Sequence, residues 1–428
     1  MNKKLLKGNF NFLTGFTIFR LATLTLIISP TFSIFLFLIS AFKSSFKNLN
    51  NYFKDKFNII LLISGLFMIM SLIKNTLVFD NEYKLLITKE NWLDLFNWIP
   101  FFLLFFFFQE YLSNQKKRKQ VALIFLLGSS PLILIGLLQA WFGLPGIYFN
   151  FIGTIKFISY SGDFITGVFN NPNIYGLWLG LMVPFFINFL KTQKDNIFIK
   201  LLSIFLFVGL IVCIFFTYSR LAFLSLFIGS LLLINKKRII KFISIFFIPL
   251  FLVNFLKFFS DKLVNFFIFG IYPLTFVKKF SINYDVIFTS PRLKIWLDSL
   301  SYIYKRPIFG WGPSNFSKIY ELDNLTFYGH SHNLPIELAL NYGIIFSLLI
   351  SCTIFYLLIK TFIVLFINSK IIDSDIFFDK AWFLASFITF VNHIFDIQYY
   401  DGRISLFSWI LMAGLKSILD ENKKAIYK

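Results

Sequence analysis

Apolar stretches of about 20 residues recur along almost the whole chain, and this repetition is the feature that most constrains its fold. A helix of about 20 apolar residues spans the hydrocarbon core of a bilayer, whereas the helices of soluble domains are shorter and amphipathic. The composition agrees, since 57% of the 428 residues are hydrophobic and 14% are charged. These features exclude a soluble enzyme, a disordered chain and a disulfide scaffold. They predict an all-α polytopic membrane protein.

Twelve segments are predicted to span the membrane, and they lie at 12–29, 32–42, 57–73, 93–112, 121–142, 174–190, 198–217, 221–234, 239–259, 343–367, 377–397 and 404–419. The first apolar run has a basic start but no small-residue cleavage site after it, so we expect a retained helix. The first two segments form either a hairpin or one helix kinked at Pro30. Only the hairpin keeps the basic amino-terminal residues on the same side as the other basic clusters.

The net charge of +20 is spread over short basic clusters between the apolar runs. Loops with many Lys and Arg alternate along the chain with loops that have few, as the positive-inside rule requires. This distribution indicates membrane topology rather than nucleic-acid binding. It predicts that both termini are cytoplasmic and that the partners of the chain include membrane lipids and no nucleic acid.

One connection, residues 260–334, is far longer than the others and is predicted to lie on the outer face. It divides the chain into helices 1–9 at 1–259, the large loop at 260–334, and helices 10–12 with a cytoplasmic tail at 335–428. Loops of this length are normally functional. We expect this loop to be partly helical and to cover the membrane domain.

A helix is predicted to begin at Ser290 and Pro291 within this loop, because Ser is a good N-cap and Pro suits the first helical position. An apolar stripe follows at helical spacing, formed by Leu293, Trp296, Leu297, Leu300 and Tyr304. The stripe is expected either to lie on the membrane surface or to pack against the helix bundle.

Seven of the 41 basic Lys and Arg residues are Arg, and four of these are predicted on the outer face, namely Arg220, Arg292, Arg306 and Arg403. The planar guanidinium group suits phosphate better than the point charge of Lys. Pairing within loops is an equal alternative for Arg306 and Arg403. The bias predicts an anionic ligand, and a lipid-linked phosphate or diphosphate is the obvious candidate at a membrane surface.

The chain has three His, and two of them, His330 and His332, lie at the end of the large loop. We expect His332 to act as a general base and His330 to be a solvated loop residue. A metal site would need further ligands, so no metal and no other cofactor is predicted. His393, near Asn392 and Asp396 at the outer end of a span, is either functional or part of a hydrogen bond between helices.

Two more outer segments are rich in turn residues. Residues 169–173, Phe-Asn-Asn-Pro-Asn, predict a turn and a helix cap, and they place Asn173 at the outer face. Residues 307–313 form a Gly/Pro bend that is either structural or lets backbone N–H groups approach a ligand.

In their order and spacing these motifs resemble the O-antigen ligase and O-antigen polymerase superfamily. The resemblance covers about residues 165–400, and its signature is His332-Asn333 followed after nine residues by Gly343. It also includes the segment 169–173, Ser219-Arg220, Arg292 with Trp296, and the 307–313 bend followed by Asn315 and Phe316. Phe346 stands where the ligase pattern has a small or hydroxylated residue.

The resemblance implies a metal-independent, inverting glycosyltransferase of the bacterial inner membrane whose active face is periplasmic. Such enzymes take a glycan from an undecaprenyl-diphosphate carrier. Carried over by position, Arg220 and Arg292 would hold the diphosphate and His332 would activate the acceptor hydroxyl. His330, Asn333, Asn173, Arg306 and His393 are possible supporting residues.

The acceptor separates the members of this superfamily. A ligase transfers the finished glycan to lipid A–core, and a polymerase transfers it to another lipid-linked repeat. Ligase is preferred here, with polymerase as the alternative. A bicarbonate-type transporter is a third possibility, but the polar residues inside the apolar spans form no evident route.

Overall fold

The computed structural model describes residues 14–45, 49–78, 89–149, 155–158, 164–193, 196–233, 291–367 and 374–426. Up to residue 233 these ranges contain helices α1 Gly15–Thr25, α2 Pro30–Ser45, α3 Leu49–Tyr52, α4 Lys56–Val78, α5 Lys89–Asp94, α6 Ile99–Tyr111, α7 Gln115–Phe142, α8 Pro172–Thr192, α9 Ile197–Phe216 and α10 Arg220–Ser230. From residue 291 they contain α11 Pro291–Lys305, α12 Phe316–Asn324, α13 Leu334–Tyr342, α14 Ile344–Phe362, α15 Ser374–Phe395 and α16 Gly402–Ile426.

Helix dominates the described ranges, as the sequence predicts, with one small exception. Strands β1 Gly146–Phe149 and β2 Ile155–Ile158 pair antiparallel, with Gly146 opposite Ile158. This hairpin follows α7. The residue after α7, Gly143, caps the helix in the left-handed conformation that glycine adopts freely.

In the described ranges, seven helices are long and apolar enough to cross a membrane, and they are Lys56–Leu77, Asn91–Tyr111, Gln115–Phe142, Pro172–Thr192, Ile197–Phe216, Ile344–Ile367 and Gly402–Lys423. Each coincides with a predicted span, which confirms a polytopic, all-α membrane protein. The full count of twelve stays a prediction. The spans expected at 12–29, 32–42 and 221–234 correspond to short helices, 377–397 corresponds to α15, and 239–259 lies outside the described residues.

The first two helices form a hairpin and not one kinked helix. α1 ends at Thr25 and α2 begins at Pro30, which has no N–H and so suits the first turn of a new helix. The two helices pack against each other. A hydrogen bond of 3.0 Å joins the Thr25 and Ser33 hydroxyl groups across the turn.

Two helices, α8 and α16, form the centre of the bundle. Within their most apolar windows, 78% of the α8 residues and 94% of the α16 residues are buried, compared with 33% for α9. Large aromatic side chains fill the space around these helices. Trp178 on α8 and Trp382 on α15 are fully buried, and the Trp382 indole donates to the carbonyl oxygen of Leu411 on α16 at 3.0 Å.

A buried ion pair ties the helices together at the end of the bundle where α7 begins. Arg118 is fully buried, and its guanidinium lies 3.0 Å from Asp379 on α15 and 2.8 Å from Glu421 on α16. Its NH1 also donates to the carbonyl oxygen of Leu112 at 3.1 Å. The basic cluster at residues 116–119 therefore contains a structural residue, in addition to its predicted part in topology.

The described part of the large loop forms an ordered layer with its own core. α11 and α12 pack on α13 through a cluster of buried side chains, formed by Ile295, Tyr302, Ile303, Trp311, Phe316, Ile319, Tyr320, Ala339 and Leu340. α11 begins at Pro291, as predicted, and Ser290, the predicted N-cap, lies outside the described residues. The predicted stripe is mostly exposed on the opposite face, with Leu297 at 59% and Tyr304 at 87%. Packing of that stripe against the bundle is therefore the wrong alternative, except at half-buried Trp296.

Candidate functional site

The residues that precede α13 hold His332 at the surface of the helix bundle. Asn333 is the N-cap of α13, and its side-chain oxygen accepts a hydrogen bond from the N–H of Ile336 at 3.0 Å. The Asn333 amide group donates to the carbonyl oxygen of Ile394 on α15 at 2.9 Å. His332 has φ of +56°, in the left-handed region that His enters more readily than most residues. The cap and the cross-helix bond therefore stabilise a turn that presents the His332 ring to α15.

His332 forms a close pair with Asp396. Its Nδ1 lies 2.9 Å from Asp396 Oδ1, just beyond the last residue of α15. The other carboxylate oxygen, Oδ2, accepts a weak hydrogen bond from Asn173 Nδ2 at 3.4 Å. The His332 side chain is 24% exposed, and within the described ranges its Nε2 makes no hydrogen bond. The pair therefore leaves one ring nitrogen of His332 open to a ligand.

Charges around the pair keep Asp396 ionised. Burial raises the pKa of Asp396, but the hydrogen bond from His332 and the electrostatic interactions with His332, His330 and Arg292 lower it by more, so the net shift is downward. Asp396 is thus a carboxylate near neutral pH. A carboxylate at Nδ1 fixes the ring orientation of His332 and favours the tautomer with hydrogen on Nδ1.

His330 packs against His332 and supports its backbone. The two ring centroids are 4.3 Å apart, and the N–H of His332 donates to His330 Nδ1 at 3.2 Å. Burial, together with the positive charges of His332 and Arg292, lowers the pKa of His330 to about 4. His330 is therefore neutral at pH 7 and acts as a hydrogen-bond acceptor, and it is not the freely solvated side chain that the sequence favoured.

Arg292 reaches the same site from the first turn of α11. Its NH1 donates to the carbonyl oxygen of Phe395 at 3.0 Å, one residue before Asp396. The Arg292 residue is exposed, and in the parts of the chain that the structure describes this is its only hydrogen bond. Most of its donor fork is thus available to an anion next to the His332–Asp396 pair.

Arg220 lies at the same end of the bundle. It is the exposed first residue of α10, after the N-cap Ser219. One turn further along α10, Ser225 Oγ accepts a hydrogen bond from Asn392 Nδ2 on α15 at 2.9 Å. Asn392 lies one helical turn before Asp396, where α15 ends. α10 therefore begins, and α15 ends, at the same end of the bundle. Arg220 and Asp396 lie at similar positions along the bundle axis.

Sequence analysis considered Glu337 only as a possible further metal ligand, and it did not predict that Glu337 is buried directly behind the His332 turn. Its Oε2 accepts a hydrogen bond from the N–H of Ser331 at 2.8 Å, and its Oε1 accepts one from Asn341 at 3.3 Å. The Trp296 indole donates to the carbonyl oxygen of Ser331 at 2.9 Å. Burial raises the pKa of Glu337 to about 7, although the hydrogen bonds that Glu337 accepts from Ser331 and Asn341 oppose the shift. Both backbone groups of Ser331 are thus fixed by side chains.

The Gly/Pro bend at residues 307–313 has a structural role. The N–H of Trp311 donates to the carbonyl oxygen of Leu340 at 2.8 Å, and that of Gly312 donates to Asn341 at 2.9 Å. The N–H of Ile344 donates to the carbonyl oxygen of Pro307 at 2.8 Å. A Cβ atom on Gly343 would lie 1.9 Å from the carbonyl oxygen of Ile308, which explains the glycine that ends α13.

Three other residues predicted to be functional make other contacts. Arg306 donates to Asn75 at 3.3 Å, and its guanidinium lies 4.2 Å from the centre of the Trp311 ring system. Arg403 is buried and forms a fork of hydrogen bonds to Asp401, the shorter being 2.6 Å. His393 is buried in α15 and lines an apolar cavity with Trp98 and Trp409. The structure does not bring these three side chains into hydrogen-bond contact with His332.

The ligand atoms of His330, His332 and Asp396 all lie within 4.8 Å of one another, so these residues could hold a metal ion. The guanidinium of Arg292 is bound to the residue beside Asp396 and disfavours a second cation there. Metal-free chemistry stays a prediction.

Comparison with known families supports the resemblance. Residues 205–351 match the family model described as O-Antigen ligase. The matched region contains Arg220, Arg292, His332 and Gly343, and the resemblance to the O-antigen ligase and polymerase superfamily is thereby confirmed. Asn173 and Asp396 lie outside it. No curated protein matches the chain.

Proposed function

We propose that the chain is a glycosyltransferase that moves a glycan from an undecaprenyl-diphosphate carrier to an acceptor hydroxyl bound at His332. One observation carries this proposal: the His332–Asp396 pair lies beside Arg292 at one end of a membrane bundle. A general base next to a guanidinium group that can bind an anion is suited to glycan transfer with a diphosphate as the leaving group. The family match at residues 205–351 supports an enzyme of the O-antigen ligase or polymerase type.

In the proposed reaction, His332 Nε2 takes the proton of the acceptor hydroxyl. The acceptor oxygen attacks the anomeric carbon on the side opposite the diphosphate, which inverts that carbon. The bond from the anomeric carbon to the diphosphate oxygen breaks, and its electron pair leaves with the diphosphate. Asp396 stabilises the imidazolium ion that forms, because its carboxylate contacts Nδ1.

Arg220 and Arg292 are assigned to the leaving diphosphate. Negative charge grows on the bridging oxygen as the bond breaks, and cationic donors placed there beforehand lower the barrier. Arg is suited to this task because two of its N–H groups can meet two phosphate oxygens. No step in this scheme requires a metal ion.

We propose a ligase, with lipid A–core as acceptor and the periplasmic side as the active face. The test is the surface-glycan pattern of a bacterial strain that lacks the gene, complemented with wild type or with His332→Ala. A ligase predicts loss of all glycan from lipid A–core, while polymerised glycan accumulates on the carrier. Wild type is expected to restore the ladder and His332→Ala is not.

Two other patterns would change this assignment. A core that carries a single repeat, without a ladder, would show a polymerase. An unchanged ladder in a strain without a paralogue would contradict both enzymes and would direct attention to transport.

A further inference from the structure

A groove lies on the surface of the helix bundle between α4 and α14. It encloses about 620 Å³, within the range of sites that bind small ligands. The α14 side chains that line it recur at helical spacing, and they are Ile345, Leu348, Leu349, Cys352, Thr353 and Tyr356. This stripe is about 16 Å long at 1.5 Å per residue. That is about half of the ~30 Å hydrocarbon core, or the depth of one leaflet.

One end of the groove is basic. Lys56, the first residue of α4, lines the groove and is exposed. Lys360, one turn beyond Tyr356 on α14, is also exposed, and its Nζ lies 5.6 Å from the centre of the Tyr356 ring.

The carboxylates near this end of the groove form ion pairs with a different lysine, Lys416. Asp55 and Asp420 both pair with Lys416, at 2.7 and 2.6 Å. In the described ranges, Lys56 and Lys360 have no acidic partner.

The basic end lies on the membrane face opposite the candidate site. α14 begins at Ile344, directly after α13 and the His332 turn, and Lys360 lies about 24 Å further along the helix. This distance approaches the thickness of the hydrocarbon core. The positive-inside rule assigns the Lys56 end to the cytoplasmic leaflet, where anionic lipids concentrate.

We propose that this groove binds one anionic phospholipid, with an acyl chain along the α14 stripe and its phosphate between Lys56 and Lys360. The stripe is about as long as one acyl chain, which extends over about half of the hydrocarbon core. An undecaprenyl chain is far longer than the groove and would not fit into it. Basic pockets between membrane helices on the cytoplasmic side are suited to such headgroups. The site is independent of the glycan-transfer reaction.

Native mass spectrometry of the full-length protein in detergent tests the proposal. Phosphatidylglycerol and phosphatidylethanolamine with identical acyl chains are titrated separately. We expect the anionic lipid to bind at least tenfold more tightly. Lys56→Gln and Lys360→Gln should each weaken it about fivefold, the equivalent of about 1 kcal/mol per Lys near an anionic surface. Lys200→Gln, at an exposed position on α9, is the matched control and should have no effect.

A second pair of variants tests the apolar wall. Leu348→Trp fills the groove, whereas Phe355→Trp changes an exposed α14 residue that is not part of the lining. Only Leu348→Trp should reduce binding of phosphatidylglycerol, by about tenfold.

The cysteines give an independent readout. Cys352 lies exposed in the groove and Cys213 is buried, so a maleimide should label Cys352 selectively. Saturating phosphatidylglycerol should slow this labelling several-fold in the wild type, but not in the Lys56→Gln/Lys360→Gln double variant. Equal binding of both lipids, unchanged binding in both Lys variants, or a dimer that protects Cys352 without lipid would overturn the proposal.

Discussion

His332 Nδ1 lies 2.9 Å from Asp396 Oδ1, although the two residues are 64 positions apart in the sequence. The contact joins the turn before α13 to the residue that follows α15. It forms because each partner is fixed by its own local structure, His332 by the Asn333 cap and Asp396 by the end of a helix. The proposed base and its orienting carboxylate thus come from two different parts of the chain.

Replacing His332 with Ala should lower the rate of glycan transfer by about 10²- to 10⁴-fold, the usual contribution of a general base. Asp396→Asn should also lower it, because the amide cannot stabilise the imidazolium ion and no longer selects the reactive tautomer. The rate of transfer by the purified protein is the measurement, and Glu321→Gln, an exposed change on α12, is the control. Full activity of Asp396→Asn would show that the contact has no part in catalysis.

Arg292→Ala and Arg220→Ala should each lower kcat by about 10²- to 10³-fold, as the loss of one donor to a developing anion does. Arg292→Lys and Arg220→Lys should still lose more than about tenfold, because Lys keeps the charge but cannot form the paired hydrogen bonds. Lys294→Ala removes an exposed charge from the same helix as Arg292 and should leave the rate unchanged. If both Lys variants are fully active, charge alone is sufficient and the paired geometry is not required.

Local sequence patterns predicted much of the fold. The seven long helices coincide with apolar runs, since a membrane span depends on its own composition more than on distant partners. The cap before α8, at Asn171, was also recognisable, because capping depends on neighbouring residues. The hairpin β1–β2 was not predicted, as such short strands carry almost no periodic signal.

The site was predictable only in part. His332, Arg220 and Arg292 stood out as unusual residue types at the predicted outer face. The roles of Asp396 and Glu337 were not evident, because both depend on contacts between separate helices or on burial behind a turn. For Arg403, binding of an anion and pairing within the loop were equal alternatives, and Asp401 two residues away pairs with it. That neighbour was visible in the sequence and could have been used.

Glu337 should make stability depend on pH. Its folded pKa of about 7 lies above the usual 4.5, so the folded state holds a proton that the unfolded state has lost. This contribution is fully present below about pH 4.5 and is lost as pH rises through about 7, with a total of roughly 3 kcal/mol. Glu337→Gln should remove that part of the decline. The melting temperature in detergent, measured from pH 4.5 to 8, tests this, and Glu321→Gln should keep the wild-type slope.

Gly343→Ala tests whether the bend at residues 307–313 positions the site. Gly343 has φ of +95°, in a region that side chains rarely adopt, and an added Cβ would lie 1.9 Å from the carbonyl oxygen of Ile308. The bend must move to relieve this overlap, and the hydrogen bond from Ile344 to Pro307 would break. We expect a loss of about 3 kcal/mol or more, together with lower transfer activity, because α13 carries the turn that holds His332.

Gly143→Ala is the matched control for Gly343→Ala. Gly143 also has positive φ, +61°, but an added Cβ would meet no atom within 4 Å. This variant therefore reports the backbone strain alone, about 1 to 2 kcal/mol, without the overlap. A lower melting temperature for Gly343→Ala than for Gly143→Ala, with activity lost only in the former, would assign the difference to the contact between the bend and α13. Equal effects of the two variants would show that the bend does not constrain the site.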